Sequence, residues 1–117
     1  MGLVEVSVTL RNIDSGDQKE VKGLVDTGAI LTVLPRSLAN SIKVSPKSTG
    51  SVMTAGGPVS IDLSYVQVEI AGKKQVVGIA ISDIIDRVLI GVTTLEMLAL
   101  SVDPVKGVLR ESMYLLY

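Results

Sequence analysis

The sequence predicts an all-β domain, a closed, barrel-like sheet with one short helix near the C-terminus. Three observations carry that prediction. Aliphatic and polar residues alternate with period two along several segments, clusters of turn formers separate those segments, and only the stretch after Gly91 combines a capping residue with helical spacing. No linker or low-complexity tract interrupts the pattern, and 117 residues suffice for one independent core, so residues 1–117 read as a single domain.

The elements follow in order. Val4, Val6, Val8 and Leu10 alternate with Leu3, Glu5, Ser7 and Thr9, which marks a strand with one buried face. The turn-forming run Asn12–Asp17 leads into a second strand over Gln18–Val25, giving a hairpin. After Asp26-Thr27-Gly28, residues Ala29–Leu34 are again aliphatic and β-branched, as in a strand, and Pro35 is placed at the first position of a brief helical turn. Lys43–Thr54 is polar, and Ala55-Gly56-Gly57-Pro58 has the composition of a hairpin tip. In the long strand that follows, Val59, Ile61, Leu63 and Tyr65 share one face while Val66, Val68 and Ile70 share the other. That change of phase means either a bulge or one strand serving two environments, an exposed arm and then the core.

Ala71–Lys74 turns the chain into a strand over Gln75–Ser82, with the Lys73-Lys74 pair read as part of a solvated turn. Asp83–Arg87 connects to the apolar strand Val88-Leu89-Ile90, which stops at Gly91. Thr93 and Glu96 have capping-box spacing, so a short helix is expected with Leu95, Leu98 and Ala99 facing inward. Val102–Val108 reads as a turn between two final strands, before the apolar end Tyr114–Tyr117.

Composition removes whole classes of chemistry. The chain contains neither histidine nor cysteine. Imidazole-dependent nucleophile systems are therefore excluded, as are disulfides and the usual transition-metal sites. Neither a cofactor nor a metal is expected. With Lys+Arg 11 against Asp+Glu 12 and three aromatic residues, the chain has no basic, stacking surface for nucleic acid. Its apolar runs are too short for a membrane span and no signal peptide opens the sequence, so a cytoplasmic location is expected. A mean hydropathy of +0.50 still leaves apolar surface to bury, and a subunit interface is the economical place for it.

Carboxylates remain as the candidates for acid–base work. Asp26 is conspicuous, because Leu24-Val25-Asp26-Thr27-Gly28-Ala29 sets one carboxylate, one hydroxyl and a glycine between two apolar strands. Asp-x-Gly alone is usually a turn, but apolar strands on both sides are expected to enclose this carboxylate in a low-dielectric setting suited to proton transfer. At these residues the chain resembles the retropepsin-like aspartic proteases, single-domain enzymes that work as homodimers. The resemblance extends, in order, to the Gly56-Gly57 hairpin in the flap position and to Val88-Leu89-Ile90-Gly91 before the short helix.

The resemblance implies a homodimeric aspartic endopeptidase acting on peptide or protein substrates, with Asp26 catalytic and one copy from each subunit. It also implies that Thr27, Gly28 and Ala29 support the active-site loop, that Ala55, Gly56 and Gly57 form a substrate-binding flap, and that Leu89, Ile90 and Gly91 pack beneath the site. The one other Asp-Ser/Thr-Gly, Asp14-Ser15-Gly16, lies in a polar hairpin close to Asp26 and reads as an ordinary turn. The chain departs from the viral pattern at Ile30, Leu31 and Val92, where viral relatives carry acidic residues and an arginine that pair. Apolar contact is the expected replacement. The Asp103–Gly107 turn is additional to that pattern and leaves two routes open for the dimer contact, the terminal strands or this hairpin. The alternative to an enzyme is a catalytically silent peptide-binding or dimerisation module. A Ser-Lys hydrolase lacks an identifiable nucleophile–lysine pair.

Overall fold

The structure is a computed structural model and describes residues 4–113. Leu3 and the apolar end Tyr114–Tyr117 lie outside the described residues. In chain order the strands are β1 (Val4–Arg11), β2 (Gln18–Val25), β3 (Thr32–Pro35), β4 (Ser48–Thr54), β5 (Gly57–Ile70), β6 (Lys73–Ser82), β7 (Val88–Ile90), β8 (Leu100–Asp103) and β9 (Val108–Glu111). Two short helices interrupt them, α1 (Arg36–Ser41) and α2 (Val92–Met97).

Six strands close on themselves. The order β1-β2-β7-β3-β6-β5 returns to β1 through Thr9↔Glu69, Leu10↔Val68 and Arg11↔Gln67, so the sheet is an all-β barrel as the sequence predicted. Inside it, Val8, Leu10, Leu34, Val66, Val68, Ile79, Ile81 and Ile90 are fully or almost fully buried. Each such side chain contributes about 1.5–3 kcal/mol through removal from water. The β7 strand enters between β2 and β3, parallel to β2 (Gly23↔Val88 to Val25↔Ile90) and touching β3 at Val33↔Leu89. Strands adjacent in sequence are thereby separated in space by one that arrives more than fifty residues later.

The phase change in β5 is resolved as one strand in two environments, not as a bulge. Its register with β6 runs without a break from Asp62↔Ile81 to Ile70↔Lys73, and its register with β4 runs unbroken from Thr54↔Gly57 to Ser48↔Leu63. The outer half pairs only with β4 to form an arm that leaves the barrel, and the inner half, with Val66, Val68 and Ile70 buried, is barrel wall. Polar β4 was legible only through its hairpin tip, because neither of its faces is buried.

Several boundaries differ from expectation. Strand β3 begins at Thr32 instead of Ala29, since the carbonyls of Ala29 and Ile30 accept hydrogen bonds from Val92 and Thr93 instead of joining a ladder. Pro35 is the N-cap of α1, with φ −60° and ψ 144°, one position before the expected N1. Gly91 caps α2, so Thr93 lies inside the first turn and makes no side-chain capping bond. The expected inward face of α2 is present, with Leu95, Leu98 and Ala99 buried. Lys73 belongs to β6 instead of a solvated turn, and its Nζ donates to the Ala99 carbonyl at 3.3 Å.

Candidate active site

The Asp26 loop is held from three sides. The Asp26 amide donates to the Ile90 carbonyl at 2.9 Å, extending the parallel β2–β7 ladder one residue past the strand. The Ala29 amide returns to the Asp26 carbonyl at 3.1 Å, and the Gly28 amide donates to Asp26 Oδ1 at 2.9 Å, which fixes the carboxylate's orientation. Beyond the turn, Val92 and Thr93 donate to the carbonyls of Ala29 and Ile30 at 2.9 and 3.1 Å. The first turn of α2 therefore anchors the far side of the loop.

Beneath the loop lies a polar link that sequence reasoning missed. Thr32 is fully buried, and its Oγ1 accepts from the Gly91 amide at 3.1 Å while sharing a hydrogen with the buried Thr94 Oγ1 at 2.6 Å. The only signal was a hydroxyl in an otherwise aliphatic run, and threonine's ordinary place in strands concealed it. Gly91 is confined by close approach: a Cβ there would lie 2.5 Å from the Leu31 carbonyl carbon and 2.6 Å from its oxygen. At the departures from the viral pattern, backbone hydrogen bonds make the connection. The Ile30 side chain is 72% exposed, so it does not supply the expected apolar replacement within the chain.

The expected enclosure of Asp26 is not met within one chain. Asp26 is half-buried and Thr27 and Gly28 are exposed, because the loop sits at the open end of the barrel wall where the flanking strands stop. The second Asp-Ser-Gly is an ordinary turn: Asn12 Oδ1 accepts from the amides of Asp14 and Ser15, and Gly16 takes φ 82°.

The arm ends in a two-residue turn, Ala55-Gly56, between Thr54 and Gly57. Thr54 Oγ1 donates to the Gly57 carbonyl at 2.7 Å and accepts from the Gly56 amide, while Gly57 adopts φ 108°. Among the described residues no hydrogen bond joins this tip to the Asp26 loop. Between the arm and the β6–β7 connection runs a groove of about 480 Å³, with Val52, Val59 and Ile61 on one wall and Ile84 and Ile85 on the other. Arg36 lies in it, bonded to Asp62 and Asp83, and its guanidinium holds the Asp83 carboxyl below the usual carboxylate range. Among the described residues no group of three or more carboxylates is placed to hold a metal ion, and no helix is long and apolar enough to cross a membrane.

A closed barrel with an arm over a groove, and an Asp-Thr-Gly loop braced by a late-entering strand, is an arrangement that can be compared with known proteins. A family model described as aspartyl protease matches residues 6–94. The chain belongs to the aspartyl protease family. The matched span runs from β1 into α2 and includes the Asp26 loop, the arm and β7. Among solved structures, the solution structure of simian foamy virus (mac) protease is similar with a TM-score of 0.59 at 20% identity, covering 78% of this chain and 90% of that one. At that identity the likeness speaks for the retropepsin-like fold. A comparison with curated proteins finds no match. Family and fold together support an aspartic protease activity for this chain.

Proposed function

We propose that the protein is an aspartic endopeptidase active as a homodimer, with the Asp26 of each subunit forming one catalytic pair on a twofold axis. The observation that carries this reading is the Asp26 loop itself: a half-exposed, oriented carboxylate on a rigidly braced turn, with no second competent Asp loop among the described residues. One carboxylate cannot serve as acid and base at once, and a symmetry mate supplies the other.

Two facing carboxylates share a single proton, since like charges so close do not both ionise. The ionised member takes a proton from a water held between them as the water oxygen attacks the peptide carbonyl carbon, and the protonated member donates to the carbonyl oxygen. Collapse of the tetrahedral intermediate breaks the C–N bond, with a proton delivered to the leaving nitrogen. The partner's approach would also complete the enclosure that one chain leaves open. The aliphatic walls of the groove and the exposed side chains of Ile30, Met53 and Ile84 favour extended substrates with apolar residues. The arm's backbone would lie over such a peptide as an added strand.

Asp26→Asn is the direct test. It is expected to lower kcat/KM on a cleaved peptide by about 10³-fold or more while the folded protein is retained. Wild-type turnover by this variant would overturn the assignment. Titration with a statine peptide separates the enzyme from a silent module, because absence of binding from acidic to neutral pH would favour the module.

A further inference from the structure

One charged cluster joins the two walls of the groove. The Arg36 guanidinium donates from Nη2 to Asp62 Oδ2 at 2.7 Å, and from Nε and Nη2 to the two oxygens of Asp83. Asp62 sits on β5 at the outermost residue still paired with β6, where the strand leaves the barrel wall and continues as the arm. Asp83 is the first residue after β6, in the connection that forms the opposite wall. Arg36 itself follows Pro35 at the start of α1, so its backbone belongs to neither wall.

We propose that Arg36 is a positioning residue that sets the width of the substrate groove by tying the root of the flap arm to the β6–β7 connection. The proposal rests on the reading of this groove as the peptide-binding cleft. Its physical basis is that the backbone pairings stop at the two roots, Asp62↔Ile81 for the arm and Pro35↔Ser82 just before the connection, and little else fixes either wall beyond them. Every residue of β4 except Gly50 is exposed, and β4 pairs with β5 alone, so the arm's tilt is decided at its root. In the opposite wall, Ser82 Oγ accepts from the amides of Ile84 and Ile85 at 3.1 Å, while the Ile84 side chain stands 86% exposed. A planar guanidinium with donors on two edges satisfies two carboxylates in one fixed geometry, and the ammonium of lysine is a point charge without that fork.

The experiment combines amide hydrogen exchange with steady-state kinetics on the full chain, comparing wild type with Arg36→Gln and Arg36→Lys. In Arg36→Gln, exchange is expected to quicken by about tenfold in both residues 52–61 and residues 83–87 while β1 and β2 stay unchanged. On a peptide that the wild type cleaves, KM is expected to rise about fivefold or more with kcat within about twofold, and Arg36→Lys to fall between. Unchanged exchange, loosening of one wall alone, or a fall in kcat with KM constant would overturn the proposal. Should Arg36→Gln fail to fold, Asp62→Asn and Asp83→Asn each cut one tether; loosening of the corresponding wall supports the proposal and its absence overturns it. A wild-type protein that cleaves no peptide counts against the proteolytic reading, and the exchange data alone then decide whether Arg36 joins the walls.

Discussion

A methyl group at Gly91 would come within 2.6 Å of the Leu31 carbonyl oxygen and 2.8 Å of that of Ile30, both parts of a backbone already held by hydrogen bonds. Gly91→Ala is therefore expected to cost about 2–3 kcal/mol, read as a lowered midpoint in urea unfolding. Thr32→Val keeps the shape but strands the Gly91 amide and the buried Thr94 hydroxyl, and should cost about 2 kcal/mol where Thr32→Ser costs little. Asp83 gives a pH dependence of definite sign. Its carboxyl is held below the ordinary range by Arg36, so its contribution to stability is present above the unfolded value of about 4 and is lost as the pH falls through the lower folded value. The stability gap between wild type and Asp83→Asn should accordingly narrow in acid, as followed by thermal melts across pH; a constant gap would contradict it. At this scale Asp26 was legible because a carboxylate between aliphatic strands breaks the pattern. Thr32 was not, because nothing about a threonine in a strand announces a buried partner sixty-two residues away.

The strand β5 shows which elements a sequence discloses. Its two apolar phases were visible, and the structure resolves them into arm and wall because different neighbours cover its two halves. Polar β4 left no period to read, and the caps of both helices were displaced by a residue or more because backbone geometry, not side-chain identity, selected them. The β5–β6 turn offers an element-scale prediction. Ala71 and Gly72 both take positive φ, 53° and 79°, the combination of a tight hairpin turn that favours asparagine before glycine. Ala71→Asn is expected to raise stability by about 0.5–1 kcal/mol in chemical denaturation, without altering the Asp26 loop.

For the whole molecule, the closed barrel was readable from alternation and turn spacing, whereas the insertion of β7 between β2 and β3 was not, since period and propensity say nothing about which strands become neighbours. The proposed homodimeric site makes a quantitative prediction at this scale. Equimolar wild-type and Asp26→Asn chains, mixed and re-equilibrated at fixed total concentration well above the dissociation constant, should retain about one quarter of the wild-type rate, because only dimers with two intact subunits turn over. A monomeric enzyme would retain about half. The position of β7 also bears on the order in which the protein is made. Everything through the arm and β6 is synthesised before Ile90, Gly91, Val92 and Thr93, the residues whose backbone holds the Asp26 loop and its flanks. Pairings this distant along the chain form slowly. A nascent chain therefore carries Asp26 on an unbraced turn between two open strand edges, and its carboxylate is set in place only when the barrel is nearly complete.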